Sequence, residues 1–223
     1  MKNRISKILG HFPSLYGYLS SLRSKFSRLV HLKDAKVINK STNLLVIRDV
    51  YGEDNVIEIG ENCKGKVKIK IRGERNTVII GSDCSFGLDC SLWVEGNDST
   101  IRIGSKTTMT RRCQINCQES GRSIVLGEDC MLANTIVVRT SDSHPIYDRE
   151  TGERLNPAKD VRIGNHVWIA PDVKIMKGAV IGDGAIIGSD TTITKEVKPY
   201  EMVVGRPQKV VKTGINWSRE ALF

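Results

Sequence analysis

Hydrophobic side chains recur every six residues in the C-terminal part of the chain. Isoleucine occupies six equally spaced positions, namely Ile163, Ile169, Ile175, Ile181, Ile187 and Ile193. Four residues after each of them lies a small or β-branched residue, in order Val167, Val173, Ala179, Ala185, Thr191 and Val197. A helix repeats its apolar positions every three or four residues, and a strand every two. A period of six therefore predicts a coil of short strands in which each flat face uses one hexapeptide.

A second signature, apolar-any-apolar-Gly, extends this coil toward the N-terminus. Its glycines are 21, 23, 23 and 37 residues apart and stand at Gly60, Gly81, Gly104, Gly127 and Gly164. Since a three-sided turn needs three hexapeptides, each shorter interval is one turn with a corner insertion, and the last is one turn with a long insertion. We predict an all-β fold of stacked parallel coils over 35–204, a loop at about 141–159, where turn-forming residues replace the repeat, and a C-terminal tail at 205–223.

Basic charge is concentrated at the start of the chain. The formal net charge is +9, and residues 1–33 contain seven Lys or Arg and no acid. Apolar residues three to four apart predict one or two amphipathic helices in the segment 1–34. These helices would either cover one end of the coil stack and help subunits associate, or dock on an anionic membrane or polymer.

The segment 1–34 also bears on the cellular location of the protein. Polar residues interrupt it where a secretory signal needs a continuous apolar core, and no apolar run has the length of a membrane span. We expect a cytoplasmic protein, with segment 1–34 as the candidate contact to the inner face of the membrane. No nucleic-acid motif accompanies the positive charge, so nucleic acid is not an expected partner.

The six cysteines do not form a metal-binding pattern. Cys63, Cys84 and Cys130 stand four residues after an apolar repeat position, which is the slot that Val167 and Ala179 occupy later. They are expected to fill the core as reduced thiols, in keeping with a cytoplasmic location. No CxxC pair is present, so no metal is expected.

Three short motifs carry a resemblance to a known family. They are V-W-I-A at 167–170, I-T-K-E-V at 193–197 and V-G-R-P-Q-K at 204–209. With the repeats of about 35–212, they closely resemble the hexapeptide-repeat acyltransferases. The resemblance implies a left-handed parallel β-helix and a homotrimer. The branch nearest in pattern is the capsule and O-antigen O-acetyltransferases, given S-D-S-H-P-I-Y-D at 141–148. The N-terminal region typical of the maltose and galactoside enzymes is not found.

The resemblance also implies a catalytic base. In family members that acetylate sugar hydroxyls from acetyl-CoA, a His-Pro pair opens the long loop, and His144-Pro145 matches that placement. An imidazole can remove the proton of an alcohol near neutral pH. His11, His31 and His166 lie in the basic segment or in a regular hexapeptide. Asp142 would orient the imidazole of His144 or favour its charged form, or it would only form a turn.

The family resemblance also implies which residues would bind acetyl-CoA and the acceptor sugar. Trp168 would lie beside the pantetheine, or form a subunit contact. The positions that line the CoA channel in the family match Ser189, Thr194 and Lys195. The basic positions near the nucleotide phosphates of CoA match Lys209 and Lys212, although lysines in a C-terminal tail are commonly only solvated. An acidic acceptor sugar would meet Arg139, Arg111 and Arg112, although paired arginines also bridge subunits.

These expectations define a function and its alternatives. We predict an acetyl-CoA-dependent O-acetyltransferase that modifies a capsular or cell-surface polysaccharide or its precursor, with active sites between subunits. An amino-sugar N-acetyltransferase could use the same base. A γ-type carbonic anhydrase shares the fold but needs three zinc-binding histidines. A non-catalytic β-helix scaffold would not bind acetyl-CoA.

Overall fold

The computed structural model describes residues 35–222. The helices predicted for 1–34 lie outside these residues. The described residues form only strands, with these bounds: β1 Ala35–Asn39, β2 Asn43–Tyr51, β3 Asn55–Ile59, β4 Lys64–Arg72, β5 Thr77–Ile80, β6 Ser85–Glu95, β7 Thr100–Ile103, β8 Thr108–Arg111, β9 Gln114–Gln118, β10 Ser123–Leu126, β11 Met131–Asn134, β12 Val137–Arg139, β13 Val161–Ile163, β14 Trp168–Ile169, β15 Lys174–Ile175, β16 Val180–Ile181, β17 Ile186–Ile187, β18 Thr192–Ile193, β19 Glu201–Val204 and β20 Lys209–Thr213.

The strands stack into a parallel solenoid with three faces. The first face is a parallel sheet in the order β1-β3-β5-β7-β10-β13-β16. The long strand β6 bends between the other two faces, because its first half pairs with β8 and its second half with β9. The second face continues from β8 through β11, β14, β17 and β19, and the third from β9 through β12, β15 and β18. The predicted all-β coil of stacked turns is confirmed.

The isoleucine column forms the interior. Ile169, Ile175, Ile187 and Ile193 are fully buried, and their partners four residues on are buried as well. Burying one such side chain contributes roughly 2 kcal/mol. All six cysteines are free and buried in the same core, as the sequence indicated.

Close stacking explains the glycines of the repeat signature. A Cβ atom on Gly104 would lie 2.3 Å from the backbone of Gly127 in the next turn, and one on Gly81 would lie 2.5 Å from the amide of Ser105. Neither glycine has a positive φ. Crowding between successive coils, rather than a special backbone angle, therefore requires glycine there.

Two segments depart from the repeat. The long loop leaves the third face after β12 and returns to the first face at β13; one antiparallel bridge joins Tyr147 to Arg154 within it. At the other end, β20 pairs with β19 in antiparallel fashion. The tail then runs to Trp217, which is buried against the ring of His166. The part of the chain that the structure describes has no helix with the length and hydrophobicity of a membrane span.

Candidate active site

A cleft of about 600 Å³ lies on the outer surface of the third face, where the long loop folds against it. Its floor consists of the outward-facing side chains of β6, β9 and β12. Strand pairing places Trp93 beside Asn116 and Asn116 beside Arg139. Successive rungs of such a ladder are about 4.8 Å apart. The loop residues Ser141, Ser143 and His144 form one wall.

His144 lines this cleft. Its side chain is exposed, and among the described residues its imidazole has no hydrogen-bond partner. Its backbone is held in place, because the carbonyl oxygen of His144 accepts a hydrogen bond of 2.9 Å from the side-chain amide of Asn156. The ring nitrogens are thus open to a ligand in the cleft.

Asp142 anchors the loop and does not bond to the imidazole. Its carboxylate accepts hydrogen bonds from the ammonium group of Lys177 and from the Asn156 amide, the latter at 2.9 Å. Lys177 above all, and Asn156 next, hold the pKa of Asp142 below its ordinary value. The connection from Asp142 to His144 therefore runs through Asn156 to the backbone, so the predicted direct orientation of the ring is not seen in the structure.

A second anchor joins the loop to the body of the solenoid. Arg154 donates two hydrogen bonds to the carboxylate of Glu119, at 2.7 and 2.8 Å. Ser141 donates a third to the same carboxylate, at 2.6 Å. These partners, Arg154 first, lower the pKa of Glu119 to about 2. Paired planar groups of this kind fix geometry as well as charge.

The guanidinium of Arg139 lines the cleft and has a hydrogen-bond donor without a partner. One guanidinium nitrogen donates to the hydroxyl of Ser143 at 2.7 Å, and that hydroxyl donates to Gln118 at 3.1 Å. The Nε atom of Arg139 and the indole nitrogen of Trp93 are buried without a hydrogen-bond partner in the described structure. No described carboxylate forms a salt bridge with Arg139. The cleft thus contains a guanidinium without a salt-bridge partner, although the carboxylates of Glu95 and Glu119 line the same cleft.

Three of the six predicted CoA residues lie on another face. Pairing aligns Trp168 with Ile186, Ile186 with Met202 and Met202 with Lys212 on the second face. Lys209 lies on the same hairpin. The structure therefore groups Trp168, Lys209 and Lys212 together, away from the cleft that contains His144.

The remaining predicted residues lie near corners of the solenoid. Ser189 is exposed just after β17. Thr194 and Lys195 follow β18, and both of their backbone amides donate to the side chain of Gln208. Arg111 and Arg112 are exposed between the second and third faces and do not line the cleft. Of the three predicted acceptor-binding arginines, only Arg139 lies with His144.

His166 is occupied by the C-terminal tail. Its Nδ1 lies 2.7 Å from the carboxylate of Asp129, and its Nε2 lies 3.1 Å from the carbonyl oxygen of Trp217. The indole of Trp217 stacks on the ring at 4.0 Å. Among the described residues, no group of three His, Cys, Asp or Glu side chains is arranged to hold a metal ion.

Comparison with known proteins identifies the family. Residues 160–195 match the sequence model described as bacterial transferase hexapeptide (six repeats). The chain is 41% identical over 186 residues to a polysialic acid O-acetyltransferase of Neisseria meningitidis, and the match covers 82% of each protein. The chain belongs to the hexapeptide-repeat acyltransferases. The family predicted from the motifs is confirmed.

Two solved structures resemble this acyltransferase along most of its length. The polysialic acid O-acetyltransferase OatWY has a TM-score of 0.72 and 34% identity, covering 84% of this chain and 90% of its own. The polysialic acid acetyltransferase NeuO has a TM-score of 0.53 and 28% identity, covering 85% and 91%. The protein is therefore an acetyltransferase, as predicted, and the carbonic anhydrase and scaffold alternatives are set aside.

Several residues of the acetyltransferase cleft and its loop were not predicted from the sequence. Trp93 could have been found, because Trp93, Asn116 and Arg139 are each 23 residues apart, the same interval as the signature glycines. Arg154 and Lys177 could not, because they reach their partners Glu119 and Asp142 across 35 residues that include the irregular loop. No periodic pattern connects those positions.

The Glu119–Arg154 pair predicts a pH dependence of loop anchoring. Because the pKa of Glu119 in the folded acetyltransferase is about 2 against an ordinary 4.5, the pair stabilises the folded loop fully above pH 4.5 and is lost as the pH falls toward 2. Replacing Arg154 with Gln should return the pKa of Glu119 toward 4.5, as measured by a carbon-13 NMR titration of its carboxyl group. Arg149→Gln, which removes an exposed loop arginine, should leave the titration unchanged. An unshifted Glu119 in Arg154→Gln would contradict this account.

Proposed function

We propose that this acetyltransferase transfers the acetyl group of acetyl-CoA to a hydroxyl of an acidic polysaccharide of the polysialic acid type. The observation that carries the proposal is the third-face cleft, which is lined by both the imidazole of His144 and the guanidinium of Arg139, whose buried Nε has no hydrogen-bond partner in the described structure. The relatives named above support the choice of acceptor, since their names give polysialic acid as the substrate.

The transfer requires a base for the acceptor hydroxyl. His144 would accept the proton of the acceptor hydroxyl as its oxygen attacks the thioester carbonyl. A carbon–oxygen bond forms, the carbon–sulfur bond breaks, and His144 would return the proton to the departing CoA sulfur. All six cysteines are buried, so none is placed as an exposed nucleophile for a covalent intermediate. We therefore favour direct transfer in a ternary complex.

Charge in the cleft fits an acidic sugar. A carboxylate and a guanidinium form a strong, directional pair, and Arg139 has no protein carboxylate as a partner among the described residues. Of the two carboxylates in the cleft, Glu119 is engaged by Arg154, and Glu95 accepts a hydrogen bond from the side-chain amide of Gln118. An acceptor carboxylate against Arg139 would fix which hydroxyl faces His144.

The separation of the two residue groups supports an active site shared between subunits. Trp168, Lys209 and Lys212 lie on the second face, whereas His144 lies at the third-face cleft. If the former group holds acetyl-CoA, a neighbouring copy must supply it to this cleft. A homotrimer of left-handed β-helices, the arrangement implied by the family resemblance, would bring a second face against a third face three times. Free cysteines are in keeping with a cytoplasmic location.

Replacement of the proposed base tests the reaction. His144→Ala should lower kcat by about 10² to 10⁴-fold, because no other group replaces the proton acceptor. Its affinity for CoA, measured by calorimetry, should stay at the wild-type value. Glu150→Ala, an exposed change in the same loop, should retain full activity. If His144→Ala turned over acetyl-CoA and polysialic acid at the wild-type rate, another group would have to be the base.

Mixing two inactive variants tests the shared site. His144→Ala and Trp168→Ala should each be inactive alone, since each lacks one half of every site. In randomly mixed trimers about one quarter of the interfaces would carry both intact residues, so about a quarter of wild-type activity should return. A mixture of His144→Ala with the double variant should stay inactive. Failure of the exchanged mixture to regain activity would place both residues in one subunit's site.

A further inference from the structure

Three lysines line a groove beside the cleft. Strand β4 alternates between buried Val67, Ile69 and Ile71 and the outward-facing Lys68, Lys70 and Arg72. Lys66, Lys68 and Lys70 border a groove of about 290 Å³ together with Ile47, Asp89, Cys90 and Ser91. We call Lys66, Lys68 and Lys70 the lysine strip.

The groove and the cleft adjoin on the third face. Pairing places Lys70 next to Trp93, and Trp93 lines the cleft. The ammonium group of Lys70 lies 5.6 Å from the centre of the Trp93 ring. In the parallel column, Lys68 pairs with Ser91 of the groove, and Ser91 pairs with Gln114 of the cleft. At about 4.8 Å per rung, the backbone of Lys70 is roughly 14 Å from that of Arg139.

The lysine strip has no ion-pair partner in the described part of the chain. No described carboxylate forms a salt bridge with Lys66, Lys68 or Lys70. The next basic residue of the strand differs, because Arg72 pairs with Asp49 at 2.9 Å. Asp89 is the one acid that borders the described groove.

Protection of a sheet edge does not explain these lysines. Charged side chains commonly shield the unpaired edge of a sheet from association with other strands. Strand β4, however, lies between β2 and β6 and is paired on both sides. A row of cations without salt-bridge partners on an interior strand, adjoining the cleft that contains Arg139, instead matches a long anionic ligand.

We propose that the lysine strip is an extension subsite that binds carboxylates of the acceptor polymer several sugars away from the one that is acetylated. The inference rests on the proposed function and deepens it. The occupant is an extended chain of acidic sugars, because a single sugar at His144 cannot also reach Lys66. Each acceptor carboxylate bound at the lysine strip adds affinity for a long acceptor, whereas a short acceptor does not reach the strip and gains nothing. The enzyme should therefore prefer polymeric over monomeric acceptors.

The test compares acceptors of different length. Initial rates are measured for the full-length chain with a short sialic acid oligomer and with long polysialic acid. In Lys68→Gln/Lys70→Gln, KM for the polymer should rise by roughly tenfold, whereas kcat and KM for the short oligomer stay at wild-type values. Wild-type KM for the polymer should also rise more steeply with salt than that of the variant. Thermal melting verifies that the variant is folded.

A matched control removes the same charge elsewhere. Lys36 and Arg102 are exposed and lie on strands of the first face. Lys36→Gln/Arg102→Gln should leave KM for both acceptors unchanged. An equal rise in polymer KM in this control would show that net charge alone attracts the acceptor and would overturn the proposal.

Other outcomes separate this inference from the proposed function. Equal KM values of the wild type and the lysine variant for the polymer, with acetyl transfer intact, would overturn the subsite alone. The subsite would also be overturned if the lysine variant lost binding to vesicles containing phosphatidylserine while its KM for the polymer stayed at the wild-type value, because the lysine strip would then be a membrane contact. Absence of transfer by the wild type to sialic acid acceptors of any length would overturn both.

Discussion

Registered hydrogen bonding between successive coils is the constraint on which the rest of the structure depends. Each turn pairs with the turns above and below, as in the bonds from Ser91 to Cys113 and from Gln114 to Ile136. An unpaired backbone group inside such a stack would lose its partners, so the register is fixed. Residues one repeat apart must therefore stand in columns. Inward columns carry the isoleucines, and outward columns carry whatever chemistry the sequence provides.

The candidate active site lies where the repeat is interrupted. The repeat admits one long insertion between β12 and β13, and His144 stands on it. An unanchored insertion would hold an imidazole poorly. Here Asn156 ties the backbone of His144 to Asp142, and Arg154 ties the loop to Glu119 on the solenoid. The rigid columns beneath supply Trp93 and Arg139, so a loop residue and a repeat residue together define one cleft.

The sequence predicted what the period governs. A repeat of six is enough for the buried columns, the stacked turns and the position of the insertion, and the family resemblance adds His144 as the candidate base. The 23-residue interval also places Arg139 beside Asn116 and Trp93, although this inference requires the register of β6, β9 and β12. In this way the periodic part of the site could be derived from the sequence.

The part of the site that lies on the irregular loop could not be derived from the sequence. Lys177 meets Asp142 only because the loop folds back over the corner after β15, and no spacing in the sequence encodes that path. Adjacent residues in the sequence were also a poor guide to shared function. Arg111 and Arg112 follow one another near a corner, whereas the cleft takes its arginine from the next turn of the third face. Position around the turn decides which side chains meet.

A crystal structure of the enzyme with CoA and a sialic acid oligomer tests the central claim most directly. The account predicts a sugar in the third-face cleft, with one hydroxyl within about 3.2 Å of an imidazole nitrogen of His144. Its carboxylate should contact Arg139. An acceptor bound on another face, with His144 facing bulk solvent, would contradict the account.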